Sequence, residues 1–237
     1  MTNPTRTVAD QCATCGRSLF GGYYTLNDRP ERYCSDCIAH RPRCSSCGAP
    51  VGEPHWRLHD GRVQCATCHS TAVYAPSEAC ALYDETVASL IDQFGLRVRV
   101  QVEFRLVDAP TLAHMMARDG LPSAPEAITL GLYQRYGNLR AIYMLYGLPR
   151  LPFRITVAHE YAHAWQDEYC LRLRSEVLRE GFAEWVAYRH LIWLGCTRAA
   201  QRMLMSDHPY RPMLQHVLEL DRRYGTYGVI EYIQQAE

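Results

Sequence analysis

Four CxxC pairs crowd into the first 68 residues of this 237-residue chain: Cys12/Cys15, Cys34/Cys37, Cys44/Cys47 and Cys65/Cys68. Two cysteines separated by two residues form a tight knuckle that offers both thiolates to one tetrahedral zinc, and a second knuckle about twenty residues later completes the site. The gaps inside the two halves, 18 and 17 residues, nearly repeat. They predict sequential pairing, with one zinc on Cys12, Cys15, Cys34 and Cys37 and another on Cys44, Cys47, Cys65 and Cys68. A cross-braced pairing is the rival, but the six residues between Cys37 and Cys44 are long for it. His40, His55, His59 and His69 could each replace a cysteine, His69 first because it adjoins Cys68. The segment is rich in glycine and poor in aliphatics, so its core must be small. Metal has to hold it together, and structural zinc contributes about 10–16 kcal/mol in zinc-finger peptides. Cys80, Cys170 and Cys196 are isolated and are expected to be buried hydrophobes.

A second pattern lies at Thr156-Val-Ala-His159-Glu160-Tyr-Ala-His163-Ala-Trp165. On a helix, histidines at i and i+4 stack on one face and reach one metal ion, while the intervening glutamate can touch a metal-bound water without being a ligand. Seventeen positions after His163 comes Glu180-Gly-Phe-Ala-Glu184-Trp, opening a second apolar helix. Glu180 is the expected third ligand, Gly181 and Ala183 are expected to let the two helices approach, and Glu184 is expected to hydrogen-bond a ligand histidine from behind. Glu176 and Asp167 compete less well for the ligand role. Glu160 is the candidate general base.

The cysteine pairs end at Cys68, and Ala75-Pro76-Ser77 reads as a junction with Ser77 as a helix N-cap. Helical spacing marks residues 78–94, a short helix 110–118, and helices 153–169, 175–194, 197–205, 209–223 and 226–235. Period-two alternation marks a half-buried strand at 97–107, with further strands at 128–136 and 139–146. Strands followed by helices predict an α+β domain with a small sheet. A polar N-terminus and the lack of a long apolar run predict a cytoplasmic protein with no membrane partner and without disulfides. Net charge is zero with scattered arginines, which predicts no nucleic-acid partner.

Together these residues resemble the gluzincin metallopeptidases, and more narrowly the plant LIM-domain peptidases that limit organ growth, the DA-one family. The resemblance rests on Tyr146-Gly-Leu-Pro-Arg-Leu151 ahead of the HExxH, on Glu180-Gly181, on Arg223-Tyr-Gly225, and on Tyr33-Cys34, Pro42-Arg43-Cys44-Ser-Ser-Cys47 and Leu58-His-Asp-Gly-Arg62. It implies a LIM-like double zinc module over residues 8–75 and a zincin-like peptidase domain over 76–237. It further implies zinc on His159, His163 and Glu180, Glu160 as base, and endopeptidase action on proteins. The eight-cysteine module departs from the usual LIM ligand set with histidine, and the chain is far shorter than the plant proteins, so ubiquitin-interacting motifs and plant substrates are not carried over.

The expected reaction is hydrolysis of a protein or peptide by zinc-activated water, with one catalytic and two structural zinc ions per chain. Tyr143, Tyr146, Tyr188 and Tyr224 are candidates for donating to the oxyanion. The strand 139–146 is the expected partner for an extended substrate backbone. The competing readings are a zinc-module adaptor that binds protein, and a DNA-associated zinc protease. The 25 basic residues are all arginine. Isopeptide conjugation needs a primary amine that a guanidinium cannot replace, so the lack of lysine also fits work beside a ubiquitin-like conjugation system. A GC-rich genome is its ordinary cause.

Overall fold

A computed structural model describes residues 11–20, 22–26, 30–118, 128–205 and 208–237, and the chain divides into two units, Met1–Ala72 and Val73–Glu237. The expected module start at residue 8 lies outside the described residues. Val73 exchanges main-chain hydrogen bonds with Gly147 and Leu148, which ties it to the second unit.

The first unit repeats one plan twice. Each leading knuckle closes with a glycine amide returning to the first cysteine carbonyl, Gly16 to Cys12 and Gly48 to Cys44, both at 2.8 Å. Both glycines have positive φ, 70° and 71°, which a side chain would strain. The trailing knuckles open short helices, α1 (Ser35–His40) after Cys34 and α2 (Ala66–His69) after Cys65. In the second half the knuckles are joined by a hairpin of β1 (His55–Arg57) and β2 (Val63–Cys65). The cysteines cluster sequentially, as Cys12, Cys15, Cys34 and Cys37, and as Cys44, Cys47, Cys65 and Cys68, rather than cross-braced. None of the four candidate histidines belongs to either cluster; His69 instead stacks on Trp56 at 4.2 Å between ring centroids.

Those quartets have the spacing a metal requires. Four sulfurs at about 2.3 Å from a tetrahedral zinc stand about 3.8 Å from one another. Cys15 and Cys34 sulfurs are 3.8 Å apart, and Cys47 and Cys65 sulfurs 3.9 Å. Main-chain amides of Cys34 and Cys65 aim at the sulfurs of Cys12 and Cys44, at 3.3 and 3.4 Å, a contact that favours thiolate. Burial would raise the Cys12 pKa, yet amide hydrogen bonds from Cys34, Cys15 and Thr14 bring it to about 6. Cysteines make up half of each buried core here: Cys12 and Cys37 with Tyr33 and Ala49, and Cys44 and Cys68 with Val51 and Val63.

In the second unit, α3 (Pro76–Phe94) starts at Ala75 as N-cap with Pro76 in its first turn and ends at left-handed Gly95. Ser77 therefore sits inside the helix and is not its cap; proline at the first helical position displaces the start upstream. Three strands follow, β3 (Val102–Val107), β4 (Gly131–Tyr136) and β5 (Leu139–Leu145), with α4 (Ala109–Arg118) between the first two. The sheet order is β3-β5-β4, parallel between β3 and β5 and antiparallel between β4 and β5. The strand expected from residue 97 begins only at Val102, where β5 first offers a partner at Arg140. Upstream amides go to side chains instead: Val98 donates to the Tyr161 hydroxyl, and Arg99 and Val100 donate to the Glu168 carboxylate.

Four helices complete the unit: α5 (Arg150–Tyr169), α6 (Glu176–Trp193), α7 (Thr197–Met205) and α8 (Arg211–Gln235). Ser175 caps α6 by accepting from the Leu178 amide at 3.3 Å. A left-handed Gly225, φ 72°, breaks α8, which is why its sequence reads as two helices. Aromatic packing joins α3, α5 and α6 through Phe94, Trp165, Phe182 and Trp185, with ring centroids 5.4–5.7 Å apart. Removing such a buried ring costs about 3–5 kcal/mol. Of the isolated cysteines only Cys170 is buried; Cys80 is exposed on α3, and Cys196 is half-buried in the turn between α6 and α7. The whole is mixed α+β, and among the described residues no helix is long and apolar enough to cross a membrane.

Candidate active site

The HExxH segment occupies the middle of α5, where Val157, Ala158, Tyr161, Ala162 and Ala164 are all buried. Such surroundings leave little water to solvate an imidazole, so most of its partners must come from the protein. α6 supplies them. His159 Nε2 and His163 Nε2 lie 3.1 Å apart, and they stand 3.5 and 3.4 Å from Glu180 Oε2. One nitrogen from each histidine and one Glu180 oxygen fall within 4.8 Å of one another.

The outer nitrogens are already committed. His159 Nδ1 meets Glu184 Oε1 at 3.3 Å, and His163 Nδ1 meets Gln166 Oε1 at 3.0 Å. Gln166 cannot turn its amide round, since its Nε2 donates to the Arg179 carbonyl at 3.0 Å. A carboxylate and an amide oxygen only accept, so the hydrogen-bond network assigns the protons to both Nδ1 atoms and leaves both Nε2 lone pairs facing inward. Two imidazole lone pairs and a carboxylate oxygen repel one another unless a positive charge lies among them. Burial lowers the His159 pKa, but hydrogen bonds to Glu180 and Glu184 and the Glu160 charge outweigh it and raise it to about 10. Burial likewise pushes Glu180 up, and the two imidazoles override it and hold the carboxylate well below its usual range. A proton or a metal cation serves that centre, and a His, His, Glu donor set fits zinc.

Glu160 projects towards β4 rather than into the cluster. Its Oε2 accepts from the Tyr133 main-chain N–H at 2.8 Å, on the strand edge that β5 does not use. Gly131 makes this approach feasible, because a Cβ there would stand 2.5 Å from Thr156 Cγ2 and 3.1 Å from Glu160 Cγ. β5, at 139–145, is the middle strand and hydrogen-bonds on both sides, so it has no edge for a substrate; the open edge beside the site is β4.

Asp167 and Glu176 stand apart from the cluster. Asp167 is engaged by the Tyr133 hydroxyl, Arg135 and Arg140. Glu176 is exposed in the first turn of α6. The bare face of Gly181 meets α8, not α5: a Cβ would lie 2.5 Å from the Met213 carbonyl oxygen. The four candidate tyrosines pack in other surroundings. Tyr143 is buried in the sheet core, Tyr146 leans on Tyr74, Tyr188 packs beside Leu191, Ala199 and Ala200, and Tyr224 stacks with Tyr232. The tyrosine ring beside His159 is Tyr210, nearly parallel to it with centroids 6.2 Å apart. Burial, then the charges of Glu180, Glu176, Glu160 and Glu184, raise its pKa, which keeps the phenol protonated as a donor. Tyr210, Gly131 and Gln166 carry no local motif; for Gln166 alone, its position three residues after His163 is a signal that could have been read.

Comparison with known proteins places this cluster in a matched region. Residues 130–212 match a family model described as "DA1-like: Protein DA1", a stretch that holds β4, the HExxH, Glu180 and Tyr210. Protein DA1 of Arabidopsis thaliana is 27% identical over 201 residues, covering 69% of this chain and 37% of its own length. Protein DA1-related 1 of the same plant is 28% identical over 197 residues, 67% of this chain and 35% of its own. LIM domain-containing protein HDR3 of Oryza sativa subsp. japonica is 24% identical over 186 residues, 65% and 36% of the two chains. The aligned stretch spans little more than a third of these relatives. No solved structure matches. The chain is thus similar, at modest identity, to the DA1 family, with the matched segment enclosing every residue of the His159–His163–Glu180 cluster.

Proposed function

We propose that this chain is a zinc-dependent endopeptidase of the gluzincin kind and a member of the DA1 family, hydrolysing peptide bonds in protein or peptide substrates. The observation that carries the reading is the inward convergence of His159 Nε2, His163 Nε2 and Glu180 Oε2, each braced from outside, with a carboxylate beside them that is not part of the set. When bound there, zinc supplies a Lewis acid that acidifies water and polarises a carbonyl.

Glu160 takes the proton from the attacking water and returns it to the leaving amine, one carboxylate serving both directions. The Tyr133 N–H steadies one Glu160 oxygen and leaves the other to act. β4 lays the edge that no strand occupies along the cleft, where an extended peptide can add as a further strand. The Tyr210 hydroxyl donates towards the developing oxyanion.

The test is incubation of purified protein with a diverse peptide library, with and without chelator, beside the Glu160→Gln variant. Chelator-sensitive cleavage lost in the variant supports the reading, and cleavage indifferent to both rejects it. A zinc-module adaptor is the second reading, favoured by the two thiolate quartets; it predicts that protein capture survives Glu160→Gln and chelation of the exchangeable metal alone. A DNA-associated protease would require salt-dependent DNA binding, against a net charge of zero.

A further inference from the structure

A cavity of about 470 Å³ opens beside His163, between β4 and the second half of α5, and it reaches the turn that leads into α6. Its walls include Tyr133 and Arg135 from the strand, Asp167 from the helix, and Arg174 and Arg179 from the turn and α6. The volume lies in the range of pockets that hold small ligands or side chains. The cavity adjoins the metal-ligand cluster, because His163 is itself part of the wall.

The charges in this wall do not cancel. Asp167 is fully engaged: it accepts from the Tyr133 hydroxyl at 2.9 Å and from Arg135 Nη1 at 3.1 Å, and Arg140 Nε stands 3.4 Å away. Arg179 is over half exposed and touches only the edge of Glu180, with 4.0 Å between Nε and Oε1. Arg174 is exposed and has no side-chain partner among the described residues. Among the lining residues Arg135, Arg174 and Arg179 are cationic and Asp167 alone is anionic; Asp167 is shared by Arg135 and Arg140, Arg179 has only the edge of Glu180 beside it, and the positive charge is in surplus. Guanidinium groups stay charged at every working pH and bind carboxylates through paired N–H donors.

The distance along β4 sets where this surplus acts. Tyr133 and Arg135 are two residues apart on one strand face, and both reach Asp167. Tyr133 is also the residue whose amide holds Glu160, so the cationic wall begins about 7 Å, two residues, along the edge from the reacting groups. We infer that this cavity is a specificity pocket for a carboxylate, the side chain of a glutamate or aspartate within two residues of the scissile bond, with Arg174 and Arg179 as its receptors. The inference rests on the peptidase reading and names the class of substrate that the reading leaves open.

The experiment separates the two. Binding is measured first, by fluorescence anisotropy on the Glu160→Gln variant of the 237-residue chain, so that it does not depend on turnover. The probes are a peptide bearing one glutamate, its glutamine twin, and both again with an amidated C-terminus. The glutamate peptide is expected to bind about tenfold or more tightly, the range of a charge-assisted hydrogen bond, with the preference shrinking as salt rises. Arg174→Gln should reduce the preference and Arg174→Glu should reverse it. Equal affinity for the twins, or a preference unchanged by Arg174→Glu, overturns the inference. Equal binding of the twins with loss of affinity in both on amidation overturns it too, since the pocket would then read a chain terminus. Scanning the glutamate through cleavable peptides gives kcat/KM ratios for the active enzyme: cleavage without discrimination defeats the pocket alone, whereas absence of any chelator-sensitive cleavage defeats the peptidase reading and leaves the binding ratios to judge the pocket.

Discussion

The main-chain N–H of Tyr133 donates to Glu160 Oε2 at 2.8 Å, so a strand of the sheet holds the single carboxylate of the HExxH. Glu160→Gln keeps an oxygen for that amide but can no longer take a proton from water. We expect normal folding, full metal content and at least a hundredfold loss of hydrolysis. Elemental analysis beside a cleavage assay checks it, and a variant that still cleaves at the parent rate removes Glu160 from the base role.

Gly131 should be as sensitive as a ligand although it has no side chain to offer. In Gly131→Ala the new Cβ would press on Thr156 Cγ2 from 2.5 Å, forcing β4 away from α5. The expected cost is about 1–3 kcal/mol of stability, with a tenfold or greater fall in activity as Glu160 loses its position. Adding Thr156→Ser deletes the opposing methyl and should recover much of both, as measured by denaturant titration and kcat/KM. No recovery would locate the strain elsewhere.

Three zinc ions per chain are expected, two held tightly by the quartets and one exchangeable. Cys44→Ser should remove one tight zinc and unfold its half of the first unit, since Cys44 and Cys68 are half of that small core. The second unit should keep its melting transition, because its own core is continuous without those residues. Metal analysis and calorimetry read both effects; an unchanged zinc count would refute the quartet.

Acidity provides a further test. The His159 pKa of about 10 stands above its ordinary 6.5, so the metal-free protein draws stability from the protonated imidazole. That contribution is complete below about pH 6.5 and disappears as pH rises through about 10. Zinc takes the place of the proton. The gain in Tm on adding zinc should therefore grow between pH 6.5 and 10, and loading at pH 7.5 should release about one proton, measurable by titration calorimetry in two buffers. A gain that is flat with pH would contradict the electrostatics of the cluster.

The elements that could be read in the sequence are those whose cause is local. Helical spacing yields α3, α5 and α6, and knuckle spacing yields the quartets. The i, i+4 histidines and the later Glu180 name residues that the structure brings together. What escaped depends on partners distant in sequence. Residues 97–101 alternate like a strand, but β5 begins too late to pair with them, and Tyr161 and Glu168 take their amides. The open edge belongs to β4 because β3 returns to the far side of β5, a choice no single segment records. Tyr210 reaches His159 only through the packing of α8 on α6, and Ser77 lost the cap to Ala75 because Pro76 takes the first helical position.

Gly181, the neighbour of Glu180, is pressed against the Met213 carbonyl of α8. During synthesis α5 and α6 leave the ribosome before that helix does, so Glu180 gains this backing only when the following segment has emerged and docked. A nascent chain can thus carry the whole HExxH while Glu180 still lacks the neighbour that steadies it.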